Sequence, residues 1–419
     1  MKHRCDSFIE TSKDEMIEEI INLIGFPSIT GREAENRDCL KYFLDLAQSM
    51  GFATMATKAY DVGIVEMGET DAETIGILVH LDVVDVGDPE KWSEDPFKGY
   101  VKDGHIYGRG SEDDKGAAVM SLYAMKAVKD AGEALSIPLK KKVQLIVGTS
   151  EEGFWTDMEH YLQEFKPPDY GFSPDGSFPI YNGENGYADV ELLFSGDATK
   201  GLRRLNSGSS RNSVPSKAEL EWEGGEVLVA HGVAAHSSTP EEGDNAIIKL
   251  AENPGTKDLD FALFAKEILA GEGFGAKLGI SGTAVPTVLR LLPGGVSMNI
   301  NIRQTSGVEE EDIDLAFESL AEKYCYSFQI PEYMDAAYVD ENLPFIKTMD
   351  SIHEEYGVAQ GIKQAAGTTY AKAIKNFVSW GPLFEDEIST AHMEDERLSV
   401  DSMILATKLY AGFLRRTLF

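Results

Sequence analysis

The chain has 419 residues, which at roughly 150 residues per domain predicts two or three domains and excludes a single small module. Hydrophobic residues make up 42% and charged residues 26%, so the chain can bury a core and is not predominantly disordered. Thirty-eight Lys and Arg against 71 Asp and Glu leave a formal charge of −33, a field that repels phosphate backbones and anionic lipid. Nucleic acid and membrane surfaces are therefore not expected partners.

Three cysteines, Cys5, Cys39 and Cys325, are too few and too widely spaced for a disulfide framework or a thiolate metal site. The basic start Met1-Lys2-His3-Arg4 has no apolar stretch behind it, and no segment approaches the roughly 18 apolar residues of a membrane span. The expectation is a cytoplasmic protein.

From Ser12, a candidate N-cap, Met16, Ile17, Ile20, Ile21, Leu23 and Ile24 recur at helical spacing up to Pro27. A second helix is predicted over 33–50, with Gly51 as its stop. The short apolar run Ile75 to Leu81 reads as a central strand covered on both faces. A helix over 114–130, a strand over 142–148 and a helix over 158–165 continue the alternation. That rhythm predicts an α/β domain with a mostly parallel sheet flanked by helices.

Near residue 186 the pattern changes. Residues 188–194 alternate, a Ser/Asn/Gly-rich loop follows over 206–213, and helical stretches are expected over 246–252 and 261–270. Residues 288–292 and 296–303 then read as a hairpin around Pro293-Gly294-Gly295. After 340 the helix–strand rhythm returns (343–356, 377–380, 400–418). The simplest organisation is one α/β domain, 1–185 and 341–419, interrupted by an inserted α+β domain at 186–340. The glycines of 271–275 follow no strand and read as a loop, not a nucleotide site.

Chemistry-bearing residues fall at the ends of these elements. His80 closes the first buried strand, and Asp82, two residues on, lies on the same side of an extended chain, where its carboxylate could accept the ring N–H. A capped core histidine would look the same. Glu112, Asp113 and Asp114 precede a helix, where acids can ligate metal or simply cap. Glu151-Glu152 ends the next strand, and adjacent carboxylates raise each other's proton affinity, one way to poise a general base. A solvated turn is the alternative. Asp175 sits in the turn Ser173-Pro174-Asp175-Gly176, and His392 precedes the last helix. The carboxyl ends of strands are where open α/β sheets bind ligands. Two histidines plus three carboxylates there suit a dinuclear site of zinc-like ions.

These motifs resemble the cocatalytic zinc metallopeptidase family of aminoacylases, carnosinases and PepV-type bacterial dipeptidases, over nearly the whole chain and closest to the PepV type. The resemblance rests on His80-Leu81-Asp82-Val83-Val84, Gly108-Arg109-Gly110 with Asp113-Asp114-Lys115-Gly116, Glu151-Glu152-Gly153, Phe172-Ser173-Pro174-Asp175 and Tyr181-Asn182-Gly183-Glu184-Asn185-Gly186. It implies a zinc-peptidase catalytic domain with a ferredoxin-like lid. His80 and Asp175 would hold one metal, Glu152 and His392 the other, and Asp113 would bridge them. Glu151 would be the general base, Asp82 would orient His80, and the Asp113–Asp114 bond would be cis.

In the insertion, His236 within Gly232-Val233-Ala234-Ala235-His236 would steady the developing oxyanion, while His231 falls outside that motif and is read as surface. Asn212 and Arg303 would hold substrate, Arg303 by gripping a terminal carboxylate. Gly367 would line the pocket, although Gly367-Thr368-Thr369-Tyr370 stands where the family has Gly-Gly-Thr-Tyr. Asp85 replaces the usual Pro, and Gln304-Thr305 replaces Tyr-Pro after Arg303. The implied cofactors are two divalent ions, zinc first, with manganese or cobalt as alternatives. The implied reaction is hydrolysis of a dipeptide. The competing readings are an N-acyl amino acid deacylase and a non-catalytic metal- or peptide-binding homologue. The enlarged lid favours a monomer over a homodimer.

Overall fold

A computed structural model describes residues 1–68, 73–195, 199, 201–271 and 275–419. Most of the 271–275 glycine loop lies outside the described residues. The chain divides into two compact units. The first comprises Met1–Asn182, Val339–Lys363 and Thr369–Phe419, and the second Gly183–Tyr338 with Gln364–Thr368. The short segment Gln364–Thr368, expected with the catalytic part, groups with the insertion because Asn185 N–H donates to the Ala365 carbonyl at 3.0 Å. Gly367 goes with it.

In the first unit, strands Ala53–Ala56, Gly63–Met67, Lys142–Gly148, Thr74–His80, Tyr170–Ser173 and Phe377–Ser379 lie side by side in that order. The four from Lys142–Gly148 to Phe377–Ser379 pair in parallel, and the two outer ones pair antiparallel. Thr74–His80 is buried at every position after Thr74, which explains its unbroken apolar run. Successive side chains point to opposite faces. Ile77, Val79, Leu145 and Val147 pack with helices Lys13–Ile24, Glu33–Ser49, Lys115–Leu135 and Val400–Leu418. Leu78 and Ile146 pack on the other side with Met158, Tyr161 and Tyr370.

Two local expectations change. Residues Lys2–Thr11 form a helix that periodicity did not signal, because it buries only Cys5 and Ile9. Ser12 falls at the break between that helix and Lys13–Ile24, and its side chain makes no capping hydrogen bond.

The second unit is built on an antiparallel sheet, ordered Val227–His231, Lys217–Trp222, Leu202–Ser207, Gly282–Leu292, Gly295–Gln304, Tyr187–Phe194, Tyr326–Met334. The helices Ala246–Glu252 and Glu310–Tyr324 share its core, as does Asp260–Phe264, which continues as a wider π turn over Ala265–Leu269. The expected hairpin is present but longer. Its two-residue connection, Pro293-Gly294, places Gly294 at φ +106°, a conformation that glycine adopts without strain. Among the described residues, no helix is long and apolar enough to cross a membrane.

Candidate metal centre

Three parallel strands of the first unit deliver acids and an imidazole to one edge. His80 is the last residue of its strand and pairs with Gly148 in the next. Three residues beyond Gly148 comes Glu151, and two beyond Ser173 comes Asp175. Asp113 enters from the turn before helix Lys115–Leu135, and His392 from the loop before strand Arg397–Ser399. The Asp113–Asp114 bond is cis.

Asp113 stands at the middle. Its Oδ1 is 2.9 Å from His80 Nε2 and its Oδ2 is 3.0 Å from His392 Nε2. His392 Nε2 also lies 2.7 Å from Glu152 Oε1, and His80 Nε2 lies 3.8 Å from Asp175 Oδ2. Donor atoms of His80, Asp113 and Asp175 lie within 4.8 Å of one another, as do those of Asp113, Glu152 and His392 and those of His80, Glu151 and Glu152. Asp113 thus offers one oxygen to each imidazole.

The polar bookkeeping fits a cation pair. His80 Nδ1 meets the Asp82 carbonyl at 3.0 Å. A carbonyl only accepts, so Nδ1 carries a proton and Nε2 is the ring nitrogen left facing the acids, the one that would ligate a metal once unprotonated. Yet His80 Nε2 and Asp113 Oδ1 are both buried without a hydrogen bond. Buried polar atoms are normally satisfied, and a mixed nitrogen and carboxylate donor set suits borderline divalent ions. Protons compete for the same atoms. Contacts to Asp113 and Glu152 raise the His392 ring to about 11. Burial would push the Asp113 carboxyl up, but His392 and His80 hold it below its ordinary range. Burial, and then the charge of Asp175, push Glu151 well above the usual carboxylate range.

Asp82 does not act quite as the sequence suggested. The ring of His80 is held by the Asp82 backbone carbonyl, with the carboxylate farther away at 3.4 Å. That carboxylate instead accepts the amides of Glu151 (3.1 Å) and Glu152 (3.2 Å) and the hydroxyl of Thr30 (2.7 Å). The reason is geometric, since the turn after Gly148 aims two amides at it. Asp82 thereby sets the direction of the Glu-Glu pair.

Several supporting residues had no sequence signal beyond lying near a motif. Asp157 accepts the amides of Thr149 (2.8 Å) and Ser150 (3.1 Å) and the hydroxyl of Tyr370 (2.6 Å), and burial raises it to about 6. It anchors the turn that leads to Glu151. Asp114 accepts the His80 amide at 3.2 Å. Glu112 and Glu396 bind loop backbone on either side of the ligands.

The remaining predicted residues belong to the second unit. Strand Ser213–Val214 pairs with Ala235–His236, and Ser237 N–H donates to the Asn212 carbonyl at 2.9 Å, so Asn212 and His236 are neighbours. His236 is exposed, with Nδ1 2.6 Å from Ser238 Oγ. His231 is exposed, as expected. Arg303 is 7% exposed and lies over the Tyr187 ring, with Nε donating to Asn301 Oδ1 at 3.2 Å. A Cβ at Gly367 would meet nothing within 4 Å.

Residues 76–416 match the family model for peptidase family M20/M25/M40. The chain is 33% identical over 422 residues to YtjP of Bacillus subtilis (strain 168), covering 89% of this chain and 88% of that one. It is 28% identical over 460 residues to a Beta-Ala-Xaa dipeptidase of Lactobacillus delbrueckii subsp. lactis, with 96% of each chain covered. Among solved structures, human carnosine dipeptidase 1 shares the fold, with a TM-score of 0.65, 16% identity and coverage of 99% of this chain and 98% of that one. The chain belongs to peptidase family M20/M25/M40.

Proposed function

We propose that this chain is a metal-dependent dipeptidase that uses two divalent cations and Glu151 as general base. The observation that carries the reading is Asp113, with opposed oxygens facing His80 and His392 at 2.9 and 3.0 Å. His80 and Asp175 would hold one ion, Glu152 and His392 the other, and Asp113 both. Bound there, the ions would lower the pKa of a shared water toward about 7 and polarise the scissile carbonyl. Zinc is the first choice, with manganese and cobalt as alternatives that the same donors accept.

Glu151 contributes a carboxylate whose proton affinity is raised by burial and by Asp175. It takes a proton from the attacking water and returns it to the leaving amine, the double duty of a general base. Asp82 holds its backbone in place. In the second unit, read as a lid, Ser238 N–H donates to His236 Nδ1 at 3.2 Å. Nδ1 is therefore an acceptor, and the neutral ring carries its proton on Nε2, ready to donate to an oxyanion. Arg303, buried and stacked on Tyr187, would receive the substrate's terminal carboxylate through its planar fork.

A dipeptide is favoured over an N-acyl amino acid by the likeness to the Lactobacillus Beta-Ala-Xaa dipeptidase across 96% of this chain. A panel of free dipeptides against N-acetyl and N-succinyl amino acids tests this, with the dipeptides expected to be cleaved. A cytoplasmic, monomeric enzyme completes the reading.

A further inference from the structure

Two buried acids outside the ligand set cross between the loops that carry Asp113 and His392. Glu396 follows His392 by four residues. Its Oε1 accepts the amides of Gly110 (3.0 Å), Glu112 (3.0 Å) and Asp113 itself (3.2 Å), and its Oε2 accepts Arg109 Nη1 at 2.6 Å. Glu112 precedes Asp113 and reaches the other way. It accepts the Thr390 amide (2.8 Å), the Thr390 hydroxyl (2.7 Å) and the Ser389 hydroxyl (2.5 Å), just before His392. Each loop therefore sends one carboxylate into the backbone of the other. Glu396 is 1% exposed, Arg109 2% and Glu112 4%.

A stability role alone explains this poorly. Burying two carboxylates and a guanidinium is costly, and well-packed apolar residues could hold two loops together as firmly. What charged acceptors add is direction, because several amides must converge on one oxygen. The two loops need it. His392 adopts φ +63°, a conformation disfavoured for a residue with a Cβ. Its ring nevertheless comes to 3.0 Å from Asp113 and 2.7 Å from Glu152. An outer carboxylate that orients a ligand-bearing segment is the kind of partner whose loss weakens metal binding without touching the ion.

We propose that Glu112 and Glu396 are positioning residues, a reciprocal brace that holds Asp113 and His392 at ligating separation before any ion arrives. This rests on the metal-centre reading above. The test is a Co²⁺ titration of the full-length chain as wild type, Glu112→Gln and Glu396→Gln, with thermal melting of the metal-free proteins and kcat and KM on a dipeptide at saturating Co²⁺. Wild type should bind two ions. Each variant should bind the second ion 10- to 100-fold more weakly. Excess Co²⁺ should largely recover kcat, with KM within about twofold of wild type.

Two ions held at wild-type affinity by both variants, with only the melting temperature lowered, would overturn the brace. Wild type binding fewer than two ions would instead overturn the dinuclear reading, and the brace with it. Should the glutamine variants fail to fold, Thr390→Val removes a single hydroxyl donor to Glu112. A several-fold weaker second ion supports the brace, and unchanged affinity refutes it.

Discussion

His392 Nε2 lies 2.7 Å from Glu152 Oε1 although 240 residues separate them in the chain. Glu152 is fixed by the parallel sheet, through the turn after Gly148 and the carboxylate of Asp82. His392 comes from a loop outside that sheet. The candidate metal centre is therefore a junction between a sheet edge and a loop that other contacts must hold in place.

Glu151→Gln should lower kcat by about 10² to 10⁴, the usual contribution of a positioned general base, while both ions stay bound. Steady-state kinetics paired with metal analysis checks this. Retention of near-normal turnover would remove Glu151 from the role.

Tyr370→Phe deletes the hydroxyl 2.6 Å from the buried carboxylate of Asp157. A buried acceptor stripped of a donor costs about 1–3 kcal/mol, which denaturant unfolding will register. Because Asp157 also accepts the Thr149 and Ser150 amides, kcat should fall along with stability.

Arg303→Lys retains the charge but loses the planar fork. KM for a dipeptide with a free carboxylate should rise about tenfold or more, consistent with a loss of about 1.5 kcal/mol or more in charge-assisted hydrogen bonding. Amidating the substrate's C-terminus should abolish the difference between the two enzymes. An unchanged KM would take Arg303 out of substrate binding.

His353 provides a pH signature away from the metal centre. Burial lowers its pKa from 6.5 to about 4, and Trp380 Nε1 donates to its Nε2 at 2.7 Å. With the folded value below the unfolded one, the unfolded chain binds the extra proton first. Stability is then fully present above pH 6.5 and is lost as pH falls toward 4, by about 3 kcal/mol at roughly 1.4 kcal/mol per unit. His353→Gln keeps an acceptor for Trp380 and should flatten the melting-temperature profile in that window relative to wild type.

The sequence carried the residues of the candidate centre unevenly. His80, Glu151 and Asp175 were legible because each ends or follows a short apolar strand, and strand ends in a parallel sheet converge on one edge. Asp113 and His392 follow no such strand and helix capping explained the first equally well, so both stood out only in combination, and their separate roles came from the family resemblance. Glu396 was hidden because its partners, Arg109 to Asp113, lie more than 280 residues away, and no periodicity encodes such a contact. In the second unit, Leu202–Ser207 escaped notice for a local reason. A bulge between Leu202 and Arg204 puts two exposed arginines in succession and breaks the alternation. Val227–His231 buries no residue fully, and only Leu228 and Ala230 lean on the core.

The central claim is that Asp113, His80, Asp175, Glu152 and His392 hold ions required for peptide hydrolysis. It is tested most directly by assaying dipeptide cleavage after complete chelation and then after re-supply of zinc, manganese or cobalt singly. Activity should be lost with the metal and restored at two equivalents per chain. Undiminished cleavage by the chelated protein, or full activity in an Asp113→Ala variant, would contradict it.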